Sequence, residues 1–140
     1  MSKRFLISTA AMFVMFMAIG FLVHGYLLAP EYAHLPGLFR TEADSAQYFP
    51  YIVLANLCAS IAITWLYLRT KGDRPVLIQG AMFGLAIAAL MIIPRFLIYY
   101  AVQPMPGAMV IKQIIFDTIG LVLIGIMLAY INKPTSQYRT

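Results

Sequence analysis

Residues 76–102 read VLIQGAMFGLAIAALMIIPRFLIYYAV, and after QPMP residues 107–132 continue GAMVIKQIIFDTIGLVLIGIMLAYIN. Each run is longer than the roughly 20 residues that cross ~30 Å of hydrocarbon. Yet Arg95, Lys112, Gln113 and Asp117 are set inside them. Ionisable groups at that depth are costly unless paired, so they mark either a helix contact or a site. The two runs therefore decide the fold class and also pose the functional question.

Working outward, two further apolar runs give spans of about 5–29 and 49–69 beside those at 76–102 and 107–132. Of the 140 residues 62% are hydrophobic and only 11% charged, where a soluble domain carries about 25% charged. The bilayer must be the solvent. The expected fold is all-α: an integral membrane four-helix bundle, antiparallel and up-down, forming a single transmembrane domain over 1–140. Its outer loop, 30–48, has room for a short interfacial helix at the acidic stretch Thr41-Glu42-Ala43-Asp44. That loop reads equally as a lid or as a plain connector.

Charge sets the orientation. Lys3, Arg4, Arg69, Lys71, Arg74, Lys133 and Arg139 fall on one side, and only Arg40 on the other, beside Glu31, Glu42 and Asp44. The bias places both termini in the cytoplasm of a bacterial-type inner (plasma) membrane, with the chain multi-pass. The first run is too long for a signal-peptide core, so it is expected to stay as an anchor. A net charge of +5 spread over membrane edges gives no basic surface with interleaved aromatics, and no nucleic acid is expected. Cys58 stands alone inside the second span, which excludes an intrachain disulfide or a CxxC centre.

Within the spans, small and polar residues recur at helical spacing. Gly20 and His24 share a face of the first. Asn56, Ser60 and Thr64 form a stripe on the second, which starts with Pro50 in its first turn. Gly80, Gly84 and Ala88 form a ladder on the third, a pattern of close helix packing that names no partner. The short basic connector Arg69–Pro75 sets helices two and three side by side. Pro94 frees the Leu90 carbonyl immediately before Arg95.

Side chains lean toward their helix N-terminus. Arg95 therefore leans inward, while Lys112 and Asp117 on the returning helix lean outward. With a tight turn at 103–107, Asp117 lies about 4–5 Å deeper than Arg95 at 1.5 Å per residue, and the two are expected to meet as a bidentate pair. Gln113, one turn from Asp117, is placed to bond either partner, and Lys112 to reach headgroups. His24, Asn56, Arg95, Tyr99, Gln113 and Asp117 all fall in the outer half, with nothing comparable in the inner half. The pattern suggests a polar cluster open to the outside rather than a continuous channel.

The candidate ligand-binding residues are thus His24, Asn56, Arg95, Tyr99, Lys112, Gln113 and Asp117. No catalytic order of nucleophile and base stands out, although His24 with Asp117 has acid–base chemistry. No metal set can be built, and haem would need a second intramembrane histidine, where His34 lies outside the span. No cofactor is expected. The sequence points to a structural or accessory subunit of a membrane assembly, in a homo-oligomer or with other membrane subunits. The alternative is a binding or transport protein for an amphiphile, a lipid headgroup or quinone, in an outward-facing pocket.

Overall fold

Helix boundaries follow local capping and proline chemistry. The computed structural model describes residues 2–133, all helices, turns and short links, so Arg139 lies outside the described residues. Ser2 caps α1 (Lys3–Gly20) by accepting the Phe5 N–H at 3.3 Å. The helix then widens into a π-helical stretch, Phe21–Leu27, where the Leu28 N–H bonds five residues back to the Val23 carbonyl at 2.9 Å. A five-residue helix, α2 (Ala29–Ala33), follows with Pro30 in its first turn. Gly37 reverses the chain at φ +84°, a conformation open to glycine because it has no Cβ.

The second long helix starts earlier than expected. Thr41 accepts the Asp44 N–H at 3.3 Å and caps α3 (Glu42–Thr70), which runs without interruption into the second apolar run. The acidic stretch is therefore the first turn of α3 rather than a separate interfacial helix, and Pro50 lies inside the helix rather than at its start. Arg40 pairs with Asp44 at 2.8 Å and lies 3.7 Å over the Tyr48 ring, which fixes that first turn. The other two long helices are α4 (Val76–Val102), continuing through Pro94, and α5 (Gly107–Ile131).

Four helical segments are long and apolar enough to cross a bilayer: Lys3–Leu27, Ala43–Thr70, Val76–Val102 and Gly107–Ile131. Their surfaces are those of a protein solvated by lipid. Phe21 is 75% exposed, Leu90 70% and Val102 70%, and such rings and branched chains cover the outside of every long helix. In water so large an apolar surface would drive association.

Two seams hold the helices together. Along the first, α4 lies on α5 with glycines on both sides: a Cβ added at Gly80 would fall 2.5 Å from the Ile126 Cα, and one at Gly84 would strike the Leu121 and Val122 backbone. The ladder on the third span thus has a partner within the chain. Along the second, α3 lies on α1. The Asn56 amide donates to Met17 Sδ at 3.2 Å, and Ser60 turns its hydroxyl back to the Asn56 carbonyl at 2.7 Å. Thr64 faces Met12 Sδ at 3.7 Å, with both residues fully buried. Helices α3 and α4, which the short connector was expected to set side by side, meet through Tyr67 and Phe83, edge to face at 5.0 Å, while their long seams are with other helices. Contacts between α1 and α5 join the two pairs.

A second polar contact occupies the end of the molecule that holds residue 8, the 71–75 connector and Asn132. The Asn132 amide donates to Ser8 Oγ at 2.8 Å and to the Leu128 carbonyl at 2.9 Å, and Lys71 reaches the Asn132 carbonyl at 3.5 Å. The expectation of no comparable polar group in this half is corrected here. The Leu128 carbonyl also accepts the Asn132 backbone N–H at 3.1 Å, so the side chain adds a second bond where α5 ends.

Candidate polar cavity

The opposite end holds the other cluster, and Asp117 is its centre. On α5 its carboxylate is almost enclosed, 11% exposed, and it meets two side chains. Arg95 of α4 donates from one terminal nitrogen to Oδ2 at 3.2 Å. His24, from the π-helical stretch, directs Nε2 between the two oxygens, 3.2 Å from Oδ1 and 3.3 Å from Oδ2. The depth argument that brought Arg95 to Asp117 therefore holds, but the expected two-pronged geometry does not. The guanidinium gives one nitrogen to Oδ2, which His24 also approaches, and sits 4.6 Å over the Phe96 ring.

Hydrogen-bond directions in this network follow from what each group can do. The Gln113 Nε2 can only donate, and it donates to the Tyr32 hydroxyl at 3.0 Å. Tyr32 then has its single proton free for His24 Nδ1, 2.6 Å away. Burial holds the Tyr32 phenol above its ordinary range, so the proton stays in place. His24 Nδ1 pairs with that hydroxyl and Nε2 with Asp117. A continuous chain of contacts runs from Gln113 through Tyr32 and His24 to Asp117. Gln113 is 2% exposed, and its Oε1 has no partner among the described residues.

Beside this chain lies a cavity of about 320 Å³. Its polar wall is His24, Tyr32, Arg95, Tyr99, Gln103 and Gln113; its apolar wall is Leu38, Phe39, Phe96 and Met105. Leu38 and Phe39 belong to the loop between α2 and α3, so the loop forms part of the enclosure. Tyr32 and Phe39 meet edge to face at 4.8 Å, and Phe96 and Tyr99 do so at 6.4 Å.

Five of the seven candidate residues gather here: His24, Arg95, Tyr99, Gln113 and Asp117. Two do not. Asn56 is on the α1–α3 seam with Met17. Lys112, expected to reach headgroups, instead forms an ion pair with Glu31 of α2 at 2.5 Å. The bond from Lys112 holds the exposed Glu31 carboxyl below its usual range. Gln113 bonds neither Arg95 nor Asp117, because Tyr32 lies nearer to its amide. Sequence reasoning also placed Tyr32 and Phe39 only as interfacial rings. Nothing in helical spacing connects Tyr32 to His24, since a π-helical stretch and the Leu28–Pro30 turn separate them.

Chemically, the site offers an imidazole, a phenol, amide groups and a half-exposed guanidinium around an aromatic-walled space. Among the described residues, no three histidine, cysteine or carboxylate side chains converge as metal ligands. No family model matches the chain, and no curated protein or solved structure is significantly similar to it.

Proposed function

We propose that this chain is a membrane protein that binds the polar head of an amphiphile in the cavity beside Asp117. The bundle is antiparallel and up-down, with both termini in the cytoplasm of a bacterial-type inner membrane and the cavity in the outer half. The basic residues on the side of the termini and of the 71–75 connector support that orientation.

One observation carries the binding reading. The cavity has a hydrogen-bonding wall facing an aromatic wall, and it lies at the end of helices that are otherwise sheathed in lipid-facing side chains. Sites that hold small molecules are concave and use a few placed polar groups to fix orientation; here polar residues make up more than half of the lining. A protein needing only a helix-registering ion pair would be served by Arg95 and Asp117 without the cavity. The alternative, a structural or accessory subunit of a larger assembly, draws on apolar helix faces that any bilayer-spanning chain carries, so the cavity supports the binding reading.

The test is native mass spectrometry of the chain extracted in mild detergent. The wild type is expected to carry a stoichiometric amphiphile, and Leu38→Trp, which fills the cavity from the loop, to lose it while keeping its helical circular dichroism. A wild-type spectrum of bare protein, or an amphiphile retained in the filled variant, overturns the reading.

A further inference from the structure

The fold gathers basic residues that the sequence sets at separate membrane edges. The Lys71 ammonium lies 3.5 Å from the Asn132 carbonyl, and so against the peptide group that leads into Lys133. The Asn132 amide holds Ser8, and Arg4 stands one turn before Ser8 on α1. Ser8 is 0% and Asn132 2% exposed. Three chain segments therefore close on a buried polar contact, and their basic residues flank it.

Segments 3–8, 69–75 and 132–133 hold Lys3, Arg4, Arg69, Lys71, Arg74 and Lys133 against a single acid, Asp73. Residues 134–140 contain no Asp or Glu, so their side chains offset none of this excess. Arg69 lies 5.0 Å over the Trp65 ring, Lys71 meets a carbonyl, and Arg74 meets Met82 Sδ at 2.9 Å, all neutral partners. At the cavity end, by contrast, Arg40, Arg95 and Lys112 each meet a carboxylate. Depth then names the partner. Trp65, 52% exposed, is one turn below Arg69, and α3 ends at Thr70. An indole on the outside of a span sits among lipid headgroups, which places the guanidinium over it at the same level. Basic clusters at the ends of spans attract anionic lipid within about a Debye length. A lysine ammonium meets a phosphate as a compact charge with three rotatable donors.

We infer that this end of the molecule is a binding surface for anionic phospholipid, the phosphate of one lipid accepting from Lys71 and Lys133 while its tails stay in the bilayer beside the spans. The surface lies at the opposite end from the cavity and is independent of what the cavity holds.

The experiment uses the full chain in a mild nonionic detergent, titrated at one ionic strength with dioleoyl phosphatidylglycerol, dioleoyl phosphatidylcholine or soluble glycerol phosphate, with bound species read by native mass spectrometry. The expected result is saturable binding of phosphatidylglycerol at least fivefold tighter than that of the other two. The double variant Lys71→Gln/Lys133→Gln should weaken it at least threefold, whereas Arg40→Gln, which removes a positive charge at the other end, should change it by less. Circular dichroism confirms that each variant keeps its helices, and the wild-type comparison decides the matter wherever one does not. A preference of less than fivefold over phosphatidylcholine overturns the inference, as does a double variant that binds within threefold of wild type or an Arg40→Gln loss as large as that of the double variant. Glycerol phosphate bound within fivefold of phosphatidylglycerol overturns it too, by showing a site for a soluble anion in place of a lipid surface.

Discussion

Asp117 shows how one carboxylate organises the cavity end. Its carboxylate meets both Arg95 of α4 and His24 of the π-helical stretch, so it ties three segments at a single point. The two partners are not equivalent. Removing Arg95 leaves Asp117 with its His24 bond, whereas removing Asp117 strands both the guanidinium and the imidazole. Bonds to charged groups contribute about 1.5–3 kcal/mol each, and Arg95, 45% exposed, recovers part of its loss by solvation. Asp117→Ala is therefore expected to lower the thermal midpoint in detergent more than Arg95→Ala does, and the double substitution to cost less than the sum of the two. Equal losses, or strict additivity, would mean that the two side chains are not coupled. This pair was legible in the sequence because depth along two helices joined by a short turn is simple arithmetic. The His24–Tyr32 bond was not, since it depends on a widened helix and a reversal that no periodic pattern encodes.

At the level of elements, the four spans could be read from apolar length alone, but their ends and partners could not. The start of α3 turned on a single hydrogen bond: once Thr41 accepts the Asp44 N–H, the helix begins there and Pro50 becomes internal. The choice of seams turned on where backbones can approach. Glycine is spread over several helices, yet only some positions face another backbone. Gly84 lies against the Leu121 and Val122 main chain, whereas Gly20, on the face expected to bear a small-residue contact beside His24, has open space around it. Gly84→Leu must therefore push α4 from α5, at a cost of about 1–3 kcal/mol or more. Gly20→Leu should leave the unfolding midpoint within a degree or two of wild type. Guanidinium or thermal unfolding in one detergent checks both, and a matched loss in the two variants would remove the glycine seam as the element that joins α4 to α5.

For the whole molecule, the proposed function assigns a structural task to one polar end and a binding task to the other. At one end Ser8, Lys71 and Asn132 close the helix termini on each other, while basic residues crowd the surrounding links. At the other, among the described side chains, Arg40 pairs with Asp44, Arg95 with Asp117 and Lys112 with Glu31, and a space remains beside Arg95. The proposed orientation rests on the tendency of Lys and Arg in short links to be retained on the cytoplasmic side. Cys58 is the single native cysteine, so a Cys58→Ala background permits clean labelling. His34→Cys, on the exposed turn beside α2, is expected to react with a membrane-impermeant maleimide in intact cells. Asp73→Cys, in the basic connector, should react only after the membrane is opened. Labelling of Asp73→Cys in intact cells would invert the molecule and turn the cavity toward the cytoplasm, which would in turn place its ligand in the opposite leaflet.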